Sequence, residues 1–256
     1  MNFKKNINIV DIGNKFFLTG IFFLSSALPI SGFFLLISLI ISFSINKSYI
    51  YKDKMNFLLF LSIGLIIFST LNFSFINRPI VLSNYNISYA WLNLFNWIPI
   101  FFLYWNFQLY LSNNKQRINF SKVLVCGCFP VILSFILQKY FKFFGPFETL
   151  NGSIVWFQRI GQSGFSGLFS NPNYAGIWLA LVLPFSLFLL QKSKIKISKF
   201  LILLFCVSIS YGIFLTSSRN AFLGLFITIL VVYGFRKFVY ILLLSISTFL
   251  TCNLIL

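Results

Sequence analysis

The chain has 256 residues, of which 59% are hydrophobic, 21% aromatic and only 9% charged, with a formal net charge of +17. Ordinary soluble domains carry about a quarter charged residues, so this composition excludes one. The lysines and arginines fall in short clusters between apolar runs rather than on one face of a polar module, which argues against nucleic acid as a partner and suits attraction to anionic membrane lipid.

Uncharged stretches of about 20 residues, the length a helix needs to cross a bilayer, recur from end to end. The sequence therefore predicts an all-α, polytopic helical membrane protein, one transmembrane domain over residues 1–256. In chain order, about nine spans are predicted, at 16–28, 30–45, 55–72, 91–111, 123–138, 172–190, 200–216, 220–235 and 238–256. The four cysteines, Cys126, Cys128, Cys206 and Cys252, lie inside apolar runs and read as buried, inert thiols.

The first two spans form a short hairpin broken at "ALPISG", where Pro29 disfavours continuation and Gly32 relaxes the chain. Charge counting decides for it. With the N-terminus inside, fifteen of the twenty basic residues fall on the inner face; treating the stretch as one span gives twelve against eight. Basic residues concentrate on the cytoplasmic side, so the hairpin is preferred, in a multi-pass inner membrane protein with a cytoplasmic N-terminus.

Five basic residues remain on the periplasmic side: Arg78, Lys139, Lys142, Arg159 and Arg219. Lys139 and Lys142 belong to "QKYFKFFGPF", at the start of an outer loop over 139–170, and suit an interfacial anchor with rings at headgroup level. Arg159 and Arg219 precede or begin helices that enter from outside. In "SNPNYAG", Asn171 is a good N-cap and Pro172 suits the first helical position, which fixes where the helix begins. In "LTSSRNAFLG", Ser217 or Ser218 can cap the next inward-running helix and leave Arg219 in its first turn, where a cation opposes the helix dipole. Two helix N-termini and two guanidinium forks on one face suit a polyanion such as a diphosphate, with Asn171 and Asn173 beside it. Gly161, Gly164 and Gly167 let the approaching backbone come close. A flexible outer loop ended by an ordinary cap is the alternative at this point.

These stretches also carry a family resemblance. "GLFSNPNYAGIWLALVLPF", followed by "LTSSRNAFLGLF", resembles the paired motifs of the O-antigen ligase and O-antigen polymerase superfamily of bacterial membrane proteins. "NLFNWIPIFFLYWNFQLYL" and "GPFETLNGSIVWFQR" are similar to its cyanobacterial members. The resemblance covers about 90–235 and implies glycosyl transfer: a polyprenyl diphosphate-linked glycan is the donor, a hydroxyl of a glycan or lipid is the acceptor, and neither metal nor other cofactor takes part. It puts the diphosphate on Arg159 and Arg219, with Asn171, Pro172 and Asn173 on the family's NPN.

Family members are generally longer, and the ligases carry a histidine in a large outer loop, whereas this chain has none and stops inside an apolar run. A truncated protein, its catalytic competence open, is the expectation. Glu148 is the only outer carboxylate that could act as a general base, and a solvated loop charge is its simpler role. An anion transporter of the bicarbonate type and an inactive fragment are the competing functions; against transport, no charged residue falls inside a predicted span.

Overall fold

The computed structural model describes residues 3–45, 54–76, 88–161 and 164–255; Lys47, Lys52, Asp53 and Arg78 lie outside the described residues. The chain opens with α1 (Phe3–Phe23) and α2 (Leu28–Ile45). Their turn occupies residues 24–27, where the amides of Ser26 and Ala27 donate to the Phe23 carbonyl at 3.2 and 2.9 Å. Pro29 is thus not the break itself. It stands in the first turn of α2, where its missing N–H has no helical acceptor to lose. Small residues bring the two helices together: the Ser31 hydroxyl donates to the Gly20 carbonyl at 2.8 Å and Ser38 to the Gly13 carbonyl at 3.0 Å.

Next come α3 (Lys54–Leu71), continued by a π-helical turn (Asn72–Ile76), and α4 (Ser88–Phe107), continued by a 3₁₀ turn (Gln108–Leu111). A break at Cys128 separates α5 (Asn114–Gly127) from α6 (Phe129–Phe141). Gly127 lies against the backbone of Phe22, where a Cβ would stand 2.5 Å from the carbonyl oxygen. The last three helices are α7 (Pro172–Lys192), α8 (Lys196–Thr216) and α9 (Arg219–Ile255). α9 is interrupted at Gly234, whose φ of 79° and ψ of 164° leave the helical region just before Arg236 and Lys237.

Six helical stretches among the described residues are long and apolar enough to cross a membrane: Leu28–Ile45, Asn56–Phe75, Asn114–Phe141, Pro172–Lys192, Lys196–Thr216 and Arg219–Tyr240. This supports a multi-pass helical membrane protein but not the count of nine spans. α1 is among the helices left out. It carries Asp11, Asn14 and Lys15 as well as its N-terminal lysines, so only its C-terminal part is strongly apolar. Ile40, Phe57, Leu181 and Val231 are 60–76% exposed, an arrangement that is stable where the surrounding solvent is hydrocarbon.

Contacts group the chain into two compact units, Met1–Phe17 with Phe34–Gln116, and Leu18–Phe33 with Arg117–Leu256. In the first, Phe60 stacks on buried Trp105 at 4.3 Å, and the buried Tyr110 hydroxyl donates to the Ser38 carbonyl at 2.9 Å. In the second, α7 packs against α8 and α9 around Leu179, Leu183, Ile209 and Ile213, each at most 1% exposed. Gly212 admits Leu179, whose Cδ1 would lie 2.8 Å from an added Cβ. The thiols of Cys128 and Cys206 are buried as expected, Cys206 donating to the Ser186 hydroxyl at 3.3 Å. Cys126 is exposed instead, because the residue two positions before Cys128 turns to the other side of the helix.

Candidate functional site

The loop between α6 and α7 has secondary structure of its own. It folds into two antiparallel ribbons, β1 (Phe147–Thr149) with β2 (Ile154–Trp156), and β3 (Ile160–Gly161) with β4 (Gly164–Phe165). α6 ends where Lys142 turns left-handed at φ 54°, and the rings of Phe143 and Phe147 stack at 4.4 Å across the exit. The expected anchor keeps its exposed rings, Tyr140 and Phe141. The Lys139 ammonium, however, lies over the Phe165 ring at 5.8 Å, tied to the second ribbon.

Arg159 sits just ahead of β3, and its backbone is held on both sides. Its N–H donates to the Ser166 hydroxyl at 2.8 Å, and its carbonyl accepts from the Ser166 N–H at 3.2 Å. Gln138 of α6, wholly buried, completes the clamp: its carboxamide oxygen accepts from the Gly167 N–H at 2.9 Å and its NH₂ donates to the Arg159 carbonyl at 3.4 Å. The preceding residue, Gln158, donates from its backbone to the Gly167 carbonyl at 2.9 Å and accepts from the Gly145 N–H at 3.3 Å. Gly167 itself is left-handed at φ 56°, with space for a Cβ closed by the Ser134 hydroxyl at 3.0 Å and the Phe135 ring at 3.2 Å. These bonds pin the base of the loop, and the exposed Arg159 guanidinium lies 5.1 Å from the centre of the Phe157 ring.

Asn171 caps α7 as the sequence predicts. It is extended at φ −140° and ψ 137°, its side-chain oxygen accepts from the Asn173 N–H at 2.8 Å, and Pro172 occupies the first turn. At the start of α9 the two cap candidates separate. Ser217 is left-handed at φ 53° and ends α8, its N–H donating to the Phe214 carbonyl at 3.1 Å, rather than capping α9. Ser218 stands at the cap position and its carbonyl accepts from the Phe222 N–H at 3.0 Å, yet its buried hydroxyl has no hydrogen-bond partner. Arg219 is exposed in the first turn of α9.

Two glycines join these pieces. A Cβ on Gly176 would stand 2.8 Å from both the Ala221 Cβ and the Thr216 hydroxyl, so the first turns of α7 and α9 and the end of α8 are in direct contact. Gly164, at the tip of the second ribbon, rests on the carbonyl of Thr216. The two motifs and the Arg159 ribbon therefore meet at one end of the α7–α8 pair. Beside them a cavity of about 400 Å³ is lined by the chain on both sides of Asn171 (Ser170, Tyr174) and by Trp156 and Phe157 next to Arg159, with the α1–α2 turn opposite. The Trp156 indole N–H is fixed there by donating to the Ser26 carbonyl at 2.7 Å. Glu148 is exposed on β1 opposite Val155, its carboxylate near Gly152 at the ribbon turn, and it does not line this cavity.

Sequence reasoning missed Gln138, Ser166 and the role of the α1–α2 turn. A lone glutamine inside an apolar run was the available signal for Gln138, since a buried carboxamide requires partners. Compared with known proteins, the chain matches no protein-family model, no curated protein and no solved structure.

Proposed function

We propose that the protein is a membrane glycosyl transferase of the O-antigen ligase or polymerase type, working at the membrane face that carries Arg159 and Arg219. The observation that supports this most is the convergence of the Arg159 ribbon, the Asn171 cap and the Arg219 helix start on one end of the bundle, against a cavity edged by aromatic rings and serine hydroxyls.

Two exposed guanidinium groups supply forked donors for phosphate oxygens, and the N-terminal ends of the α7 and α9 dipoles add partial positive charge. In the proposed reaction the diphosphate of a polyprenyl-linked glycan is held by Arg159 and Arg219, with Asn171 and Asn173 beside it. An acceptor hydroxyl attacks the anomeric carbon. The new glycosidic C–O bond forms as the bond to the diphosphate oxygen breaks, the polyprenyl diphosphate leaves with the electron pair, and the hydroxyl proton passes to a base. Glu148, the base candidate from the sequence, is exposed on β1 and does not line the cavity, so in this reading it would take the proton from the cavity's edge or through water. Sugar rings suit the cavity, where Trp156 and Tyr174 offer apolar surfaces and the serines offer hydrogen bonds.

The test is glycan transfer in proteoliposomes supplied with a polyprenyl diphosphate-linked oligosaccharide and an acceptor. Arg159→Ala and Arg219→Ala are each expected to lower transfer by 10² or more, the scale set by removing one preorganised charge-stabilising group, with the folded protein retained. Unchanged transfer in both variants overturns the proposal, as does bicarbonate flux through the same vesicles that depends on Arg219 while no glycan moves.

A further inference from the structure

A second cavity, of about 600 Å³, lies at the other end of α7 and α8, bounded by α5 and by the α7–α8 connection. α7 has 21 residues, which at about 1.5 Å per residue puts this end roughly 30 Å from the Asn171 cap. Nothing in the proposed transfer reaction uses it.

Its lining divides by chemistry. Leu189 and Ile202 give it an apolar floor, whereas Lys122 of α5, Lys192 at the end of α7 and Lys194 in the connection ring it with positive charge, and no acidic residue is among its lining. The start of α8 opens on it too. Ile195, the cap residue, and Ser198 both line the cavity, and no side chain caps the helix there. The first-turn N–H groups of α8 have no acceptor within the helix, so an anion seated among the lysines also meets a helix N-terminus.

We propose that this cavity binds one anionic glycerophospholipid. The phosphodiester sits among Lys122, Lys192, Lys194 and the first turn of α8, and the acyl chains run along the apolar floor toward the hydrocarbon. Basic pockets between transmembrane helices take anionic headgroups in this way. The apolar lining distinguishes a lipid from a free phosphate, because a bare headgroup leaves exposed Ile195 and half-buried Ile202 uncovered. The inference is independent of glycan transfer and survives its failure.

Native mass spectrometry of the purified full chain tests it, with phosphatidylglycerol, phosphatidylcholine and glycerol 1-phosphate as probes. Phosphatidylglycerol is expected to bind in preference to phosphatidylcholine. Each lysine at a membrane surface contributes about fivefold, so the Lys122→Gln, Lys192→Gln, Lys194→Gln triple variant is expected to weaken phosphatidylglycerol by roughly a hundredfold, whereas the triple Arg variant retains it. Lys139→Gln with Lys142→Gln, at the far end, is expected to leave it unchanged. Equal binding of the two lipids, an unaltered Gln variant, or equal loss in the far-end variant overturns the proposal, and displacement by glycerol 1-phosphate alone assigns the cavity to a free phosphate instead. If the Gln variant does not fold, amine acetylation of the unmodified chain decides: Lys122, Lys192 and Lys194 react several-fold more slowly in phosphatidylglycerol than in phosphatidylcholine, and equal reactivity overturns the proposal.

Discussion

Gln138 shows how a single buried side chain can fix a charged one it does not touch. Its carboxamide joins the Gly167 N–H to the Arg159 carbonyl, so the C-terminal end of α6 sets the position of the loop that carries the guanidinium. Replacing it with leucine leaves the Gly167 donor buried and without an acceptor, at a cost of about 1–3 kcal/mol. Gln138→Leu is therefore expected to lower the thermal midpoint and to speed hydrogen exchange at the Gly167 amide. Unaltered exchange there would show that the ribbon is held by other contacts. Asn171 was legible in the sequence, because an Asx residue before proline caps a helix through contacts two residues away. Gln138 was not, because its partners lie 21 and 29 residues further along the chain. Ser217 and Ser218 looked interchangeable as caps; the left-handed turn between α8 and α9 gives them different places, and backbone geometry of that kind is set by how two helices meet.

At the scale of elements, glycine positions decide which helices can touch. Gly176 lets the start of α7 lie against α8 and α9, with an added Cβ only 2.8 Å from two neighbours, whereas Gly64 in α3 has nothing within 4 Å of that position. The same substitution should then have opposite signs. Gly176→Ala is expected to destabilise by about 1–3 kcal/mol through overpacking, and Gly64→Ala to stabilise by about 0.5–1 kcal/mol through helix propensity alone. Detergent-resistant thermal melts of the two variants check this, and destabilisation by both would mean that α3 has a partner on that face. The sequence marks both residues as glycines within apolar runs and offers no means to tell them apart. The ribbons of the α6–α7 loop were illegible for a similar reason. Their strands are two or three residues long, too short for an alternating pattern to emerge.

For the whole molecule, the distribution of charge and the helix lengths make a joint statement about sidedness. Lys122, Lys192 and Lys194 meet at one cavity, with Lys196 and Lys199 in the first turn of α8, at the end of α7 opposite to Asn171. Basic residues concentrate on the cytoplasmic side, so single cysteines introduced into a background with Cys126, Cys128, Cys206 and Cys252 replaced should separate cleanly. Asn173→Cys is expected to react with an impermeant maleimide added outside intact cells, and Ser193→Cys only after permeabilisation. Reaction of both from one side would contradict α7 as a membrane-crossing helix.

Composition and charge determined by themselves that this chain lives in a bilayer, that its helices are long and apolar, and that one helix must begin at Asn171. These are local or additive properties: hydropathy sums along the chain, and a cap acts within its own turn. Tertiary structure alone decided that the α6–α7 loop folds into ribbons clamped by Gln138, and that the Asn171 and Arg219 segments touch through Gly176. Those outcomes depend on close approach between residues remote in sequence, where the absence of one methyl group or the presence of one buried carboxamide determines what can pack.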